Sequence, residues 1–243
     1  MSFRVATRAV LTAALLLTAS CGGGASKPPR ATGPLGTPEG VLGPETRSDA
    51  AIHFEDLPVT RLAQSRIPLP NAANPSLGAE NAPVVVQLWS DFECPYCADV
   101  HPVLRQLLAQ YAGKVRLVWH DYPLPFHAHA RLAANAGREA YAQGGANAFW
   151  KFHDALYEAP PGELDREALE HFAAKAGLDA ARFRASLLKP GHDAEISQDI
   201  NSGNAVGVEG TPAFLVNDYF FVGGVPLEIL RVIVDRALSD RGT

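Results

Sequence analysis

Val84-Val85-Val86-Gln87-Leu88-Trp89-Ser90-Asp91-Phe92-Glu93-Cys94-Pro95-Tyr96-Cys97 is the stretch on which the reading of this chain turns. Its first six residues are mostly apolar and β-prone, as a strand covered on both faces requires. Pro95 is tolerated in the first turn of a helix. Val100, Val103, Leu104, Leu107 and Leu108 then repeat at helical spacing, which predicts a helix from Pro95 to about Tyr111. Pro102 falls inside that helix and should kink it. Gly113 ends the run, and Val115-Arg116-Leu117-Val118-Trp119 reads as a second strand, so the unit is a parallel strand-helix-strand crossover. Two thiols separated by two residues thus stand at a helix start, where a disulfide can close and reopen. Free helix N-terminal amides and the positive end of the helix dipole favour the thiolate of Cys94.

Working toward the C-terminus, the pattern from about 126 to 204 is helical. Its apolar positions are Leu132, Ala133, Ala136 and Ala140, then Phe149, Phe152 and Leu156, then Leu169, Phe172, Ala173 and Ala176. Pro160-Pro161-Gly162, Gly177 and Pro190-Gly191 divide it into three or four helices. Ala213-Phe214-Leu215-Val216 and Tyr219-Phe220-Phe221-Val222, separated by Asn217-Asp218, read as a hairpin. Leu227, Leu230, Val234 and Leu238 mark a closing amphipathic helix. This order of elements is an α/β architecture, a thioredoxin-like fold with an inserted helical subdomain.

Toward the N-terminus, Arg4 and Arg8 precede an apolar run from Ala9 to Leu17 and then Thr18-Ala19-Ser20-Cys21. That is the form of a secretory signal, too short to span a membrane. It is similar to a bacterial lipoprotein signal in which Cys21 takes the lipid, with ordinary cleavage and an uncut anchor as the alternatives. The expected organisation is a signal over 1–21, a flexible Gly/Pro-rich tether over 22–66, and one domain over 67–243, with 51–67 the least readable part. A net charge of −5 without a basic cluster argues against a nucleic-acid partner. Only three cysteines occur, so beyond Cys21 the domain keeps one pair, in an exported chain where disulfide chemistry is permitted.

The domain resembles the DsbA family of thiol-disulfide oxidoreductases over almost its whole length. The residues that carry the likeness are Ser90 to Cys97, Pro102, Tyr122-Pro123-Leu124-Pro125-Phe126-His127, Phe149-Trp150-Lys151-Phe152-His153, and Gly207-Val208-Glu209-Gly210-Thr211-Pro212-Ala213-Phe214. The resemblance implies a monomeric cell-envelope enzyme that needs no cofactor and exchanges disulfides with unfolded or extended protein substrates. A membrane or envelope partner would reset it. Cys94 is then the exposed nucleophile, and Cys97, one turn along, resolves the mixed disulfide. Thr211-Pro212 matches the cis-proline dipeptide that faces the cysteines, with the Thr211 backbone offered to an extended substrate.

Pro95, Tyr96 and Glu93 are the expected tuning residues. Tyr96 stands where strongly oxidising relatives have a histidine, and the Glu93 charge opposes a thiolate next to it. Those two facts predict a reduction potential nearer the glutaredoxin range of roughly −200 to −230 mV than the roughly −120 mV of DsbA. Leu88 occupies the strand position where many thioredoxin-like chains carry a buried acid. The proton acceptor for Cys97 is therefore open, with water, Asp91 and Glu93 as candidates and both carboxylates read as solvated. His101, four residues after Cys97, reads as a surface histidine, and His127 and His129 as helix-entry residues without chemistry. A zinc site lacks further ligands. The competing functions are a glutaredoxin-like, glutathione-linked reductase and a non-catalytic peptide-binding or chaperone module.

Overall fold

The computed structural model describes residues 52–159 and 164–242. The expected signal, Cys21 and most of the expected tether lie outside the described residues. A six-stranded mixed sheet is formed by β1 (Thr60–Arg61), β2 (Ser76–Gly78), β3 (Val84–Ser90), β4 (Val115–Asp121), β5 (Ala213–Val216) and β6 (Tyr219–Val222). Their order across the sheet is β1-β6-β5-β3-β4-β2. The helices are α1 (Pro95–Gln110), α2 (Ala130–Tyr157), α3 (Arg166–Ala176), α4 (Ala180–Leu188), α5 (Asp193–Val206) and α6 (Leu227–Ser239).

The crossover expected from the first stretch is present: β3 and β4 pair in parallel, Val84 opposite Val115 through Ser90 opposite Asp121, with α1 between them in the chain. β5 runs antiparallel on the other side of β3. β3 is buried on both faces. Val84, Val86 and Leu88 pack with Val100, Leu104 and Leu107 of α1 and with Leu230, Ile233 and Val234 of α6, whereas Trp89 packs with Val206, Val208 and Leu215. The hairpin turn places Asn217 at φ 53°, a left-handed conformation that asparagine tolerates. Its side chain accepts from the Val85 amide at 2.9 Å, which fixes the hairpin against β3.

The insertion is built from α2 to α5. Asp165 caps α3 by accepting from the Ala168 amide at 2.9 Å, and Asp179 caps α4 through Arg182 at 2.8 Å. α2 carries non-helical torsions at Gly144 and Gly145, the latter at φ 63°, so the long helix bends there. That break was not expected, because the apolar spacing continues across it. α1 continues through Pro102.

Residues 52–66 depart from the expected tether. Thr60 and Arg61 pair with Phe220 and Tyr219, Leu62 is buried, and the Phe54 ring lies 4.9 Å from that of Tyr219 and beneath the Arg236 guanidinium. The folded unit thus reaches back at least to Phe54. A two-residue strand and irregularly spaced apolar residues offer no period to read, and only the exposed edge of β6 gives them a place.

Candidate active site

Cys94 is the N-cap of α1 and Pro95 its first helical residue. The preceding turn is held by Asp91. Its carboxylate accepts from the Glu93 amide at 2.8 Å, from the Leu124 amide at 2.8 Å and from His127 Nδ1 at 2.8 Å. The Thr211–Pro212 peptide is cis, and Cys94 Sγ lies 3.3 Å from the Thr211 carbonyl. Two segments more than a hundred residues apart in sequence thus meet at one sulfur.

Both cysteines are free thiols, and both are buried: Cys94 is 3% exposed and Cys97 1%. The expectation of an exposed Cys94 is corrected, because the cis-proline bend covers its sulfur. What separates the two thiols is their bonding. The hydrogen bond from the Cys97 side chain, followed by the contact with Thr211 and the backbone N–H groups of Cys97 and Tyr96, brings Cys94 down to about 6 against the burial that opposes it. Burial first, then the neighbouring Cys94, pushes Cys97 well above its ordinary value. One sulfur is made anionic near neutrality and its mate is kept protonated.

The tuning expected of Glu93 and Tyr96 works differently. The Glu93 carboxylate is turned away to accept from the amide of His129 at 2.5 Å and from its Nδ1 at 3.0 Å. The Tyr96 ring is 65% exposed, so its contribution comes through its backbone N–H. Neither carboxylate is solvated: the side chains of Asp91 and Glu93 are 0% and 9% exposed. His127 and His129, read as helix-entry residues, bind these two acids and so tie the cysteine turn to the start of the insertion.

A polar cluster lies behind Cys97 that the sequence reading missed. Ser90 Oγ hydrogen-bonds Tyr157 OH at 2.9 Å, and Ser90 lines the same small cavity as Cys97, where its hydroxyl partly offsets the rise of the Cys97 thiol. His101 is not a free surface group, since its Nε2 lies 3.0 Å from Asp154 Oδ1. His153 Nδ1 reaches the same oxygen at 3.0 Å, and Arg105 pairs with the other. Three donors converging on one carboxylate satisfy it, and the Arg105 charge opposes a cation there. The motif Phe149 to His153 gave one clue, because Phe149 and Phe152 fill the core while His153 turns toward this cluster.

A dithiol at a helix N-terminus, facing a cis-proline in a sheet with a parallel β-α-β unit, defines a thioredoxin-fold protein. The thioredoxin family model matches residues 71–236, and the chain belongs to that family. Probable disulfide bond formation protein D of Bacillus cereus is 30% identical over 152 residues, 58% of this chain and 69% of the relative. A Na(+)/H(+) antiporter NhaA 3 of Salinispora tropica is 39% identical over 163 residues, 67% of this chain but 24% of the relative. The chain thus spans about a quarter of the length of the antiporters it matches. Among solved structures, a thioredoxin-like oxidoreductase from Silicibacter pomeroyi is 30% identical with a TM-score of 0.62, covering 70% of this chain and 94% of that one. BdbD from Bacillus subtilis shares the fold at 23% identity and a TM-score of 0.61, covering 69% and 94%. The resemblance to DsbA-type proteins and the expected fold class both hold.

Proposed function

We propose that this chain is an exported thiol-disulfide oxidoreductase that exchanges disulfides with extended protein segments, with Cys94 as nucleophile and Cys97 as resolving thiol. The observation that carries it is the split between the two sulfurs: Cys94 held near 6 by hydrogen bonds beside a cis-proline, and Cys97 held protonated one turn away. An incoming chain extended along Thr211 would bring its own sulfur to Cys94 by strand addition. Exposed Tyr96, Phe126 and Val222 offer apolar contact to an unfolded client.

Oxidation of clients is the favoured direction. Hydrogen bonds that stabilise the Cys94 thiolate stabilise the reduced form, which makes the disulfide a better oxidant, and the relatives in Bacillus are named for disulfide bond formation. Lipidation of Cys21 with cleavage between Ser20 and Cys21, and the residues that follow as the tether, would hold the enzyme at a membrane, monomeric and within reach of a membrane redox partner.

Oxidation of a reduced, unfolded client and reduction of insulin, each with Cys94→Ala alongside, test the activity. Loss of both in the variant is expected, and survival of either refutes the reading. Faster turnover of a glutathione mixed disulfide than of protein disulfides would favour the glutaredoxin-like alternative. Lipid labelling that disappears in Cys21→Ser tests the anchor.

A further inference from the structure

The sequence left the proton acceptor of Cys97 open, and the structure offers a group for it. Cys97, Ser90, His101, His153 and Tyr157 line one small cavity of about 10 Å³, near the lower limit for a single water. The walls otherwise come largely from apolar side chains such as Leu88, Leu104 and Trp150. His101 stands one helical turn after Cys97 on α1, with its ring stacked 5.5 Å from that of Tyr157. Asp154 accepts from His101 Nε2 at 3.0 Å, which leaves the lone pair on Nδ1. Asp154 is itself fixed by Arg105 and His153.

We propose that His101, oriented by Asp154, takes and returns the proton of Cys97, and that the hydroxyls of Ser90 and Tyr157 hold the Cys97 sulfur while it is charged. This rests on the oxidoreductase reading above. The arrangement is that of a thiol, a base and an orienting carboxylate, assembled from α1 and the inserted helix α2. It stands in for the buried acid that Leu88 replaces.

With a substrate sulfur bonded to Cys94, the Cys97 proton passes to His101, directly or through one water. The Cys97 thiolate then attacks Cys94 Sγ, the bond from Cys94 to the substrate breaks, and the substrate leaves as a thiolate with the electron pair. In the opposite direction a substrate thiolate attacks Cys94 of the disulfide, Cys97 leaves as a thiolate, and His101 passes to it a proton taken from solvent. The Ser90 hydroxyl donates to the Cys97 thiolate while Tyr157 donates to Ser90. With Cys97 protonated, the Tyr157 hydroxyl is free to donate to the Asp91 carbonyl at 3.3 Å.

The surroundings keep His101 neutral at rest, with its lone pair available. Burial first, then Arg105 on the same helix, lowers its affinity for a proton, against a smaller opposing effect of Glu158. Of the other groups that face it, Asp154 accepts its Nε2 proton, while His153 and Tyr157 are kept neutral by burial.

Reduced protein treated with dithiobis(nitrobenzoate) tests this. Attack by Cys94 releases one aryl thiolate, and attack by Cys97 on the resulting mixed disulfide releases a second. In His101→Gln the ratio of the second rate to the first should fall by roughly 10²-fold near pH 7. The deficit should shrink as pH rises and be partly restored by added imidazole. Tyr157→Phe gives a smaller fall in the same ratio. A second-phase pH profile that His101→Gln does not change, or a deficit that neither pH nor imidazole relieves in a variant with native circular dichroism, overturns the proposal. Should His101→Gln misfold, Asp154→Asn must show the same pH-dependent deficit. If wild-type protein gives no fast first phase and no protein-disulfide exchange, the oxidoreductase reading itself fails.

Discussion

Two clusters of buried polar side chains flank the ends of β3 and β4, and they are built on opposite principles. In one, the Arg138 guanidinium donates to Asp121, to Asp199 and to the Ala73 carbonyl. Asp199 also accepts from Asn74 at 2.9 Å, from His120 at 2.9 Å and from the Asp121 amide at 2.8 Å. Charge is opposed by charge, and the cluster ties α2, α5, β4 and the loop before β2 together. In the other, behind Cys97, the groups nearest the thiol are neutral hydroxyls and imidazoles, and the ion pair of Arg105 with Asp154 sits at the rim. A saturated network of charges has nothing left to exchange and serves as a clamp. A neutral network next to a thiol retains a lone pair and can move a proton.

The largest effect is expected at the sulfurs themselves. Cys94→Ser should reduce client oxidation to background, a loss of at least about 10³-fold, since removal of a nucleophile costs several orders of magnitude. Residual turnover above background would place the chemistry elsewhere. The clamp is tested next by Arg138→Met, which leaves two carboxylates buried without their cation. A destabilisation of about 3–5 kcal/mol in urea unfolding is expected, with the alkylation midpoint of Cys94 in the folded fraction unmoved. A shift of that midpoint would mean that the two clusters are coupled.

Alkylation of reduced protein should show Cys94 titrating at about 6. Cys97→Ala should raise that midpoint further than Glu93→Gln moves it, because the bond from Cys97 leads the causes and the Glu93 carboxylate is occupied by His129. The reverse ranking would restore Glu93 as the tuning residue.

The same thiol also makes stability depend on pH. The Cys94 thiol is more acidic folded than unfolded, so its contribution to the reduced form is complete above the unfolded thiol value of about 8.5 and is lost as pH falls through about 6. Urea midpoints of the reduced protein should decline across that window relative to Cys94→Ser. Parallel curves would show that the sulfur is not held as described.

Much of the architecture was legible because it follows from period. The run Val84 to Trp89, the helical repeat after Cys97 and the Asn217-Asp218 turn each identify an element locally, and they appear at the expected places. Residues 54–62 were not legible, since a two-residue strand gains its meaning from the β6 edge it pairs with. The carboxylates of Asp91 and Glu93 were misread as solvated for a similar reason. Their partners, His127 and His129, lie more than thirty residues away in a loop. Tyr157 and Asp154 carried no sequence signal of their own, because their relevance depends on which face of α2 turns toward α1.

What the amino-acid order determined alone was the parallel crossover, the helical insertion and a pair of thiols at a helix start, since each rests on interactions between residues close in sequence. What only the tertiary structure decided was the chemical character of those thiols. The Thr211 bend lies over Cys94, and α2 sets Tyr157, His153 and Asp154 behind Cys97. Desolvation and hydrogen bonding act over a few ångströms in space, so they are fixed by chain segments that sequence separation keeps far apart.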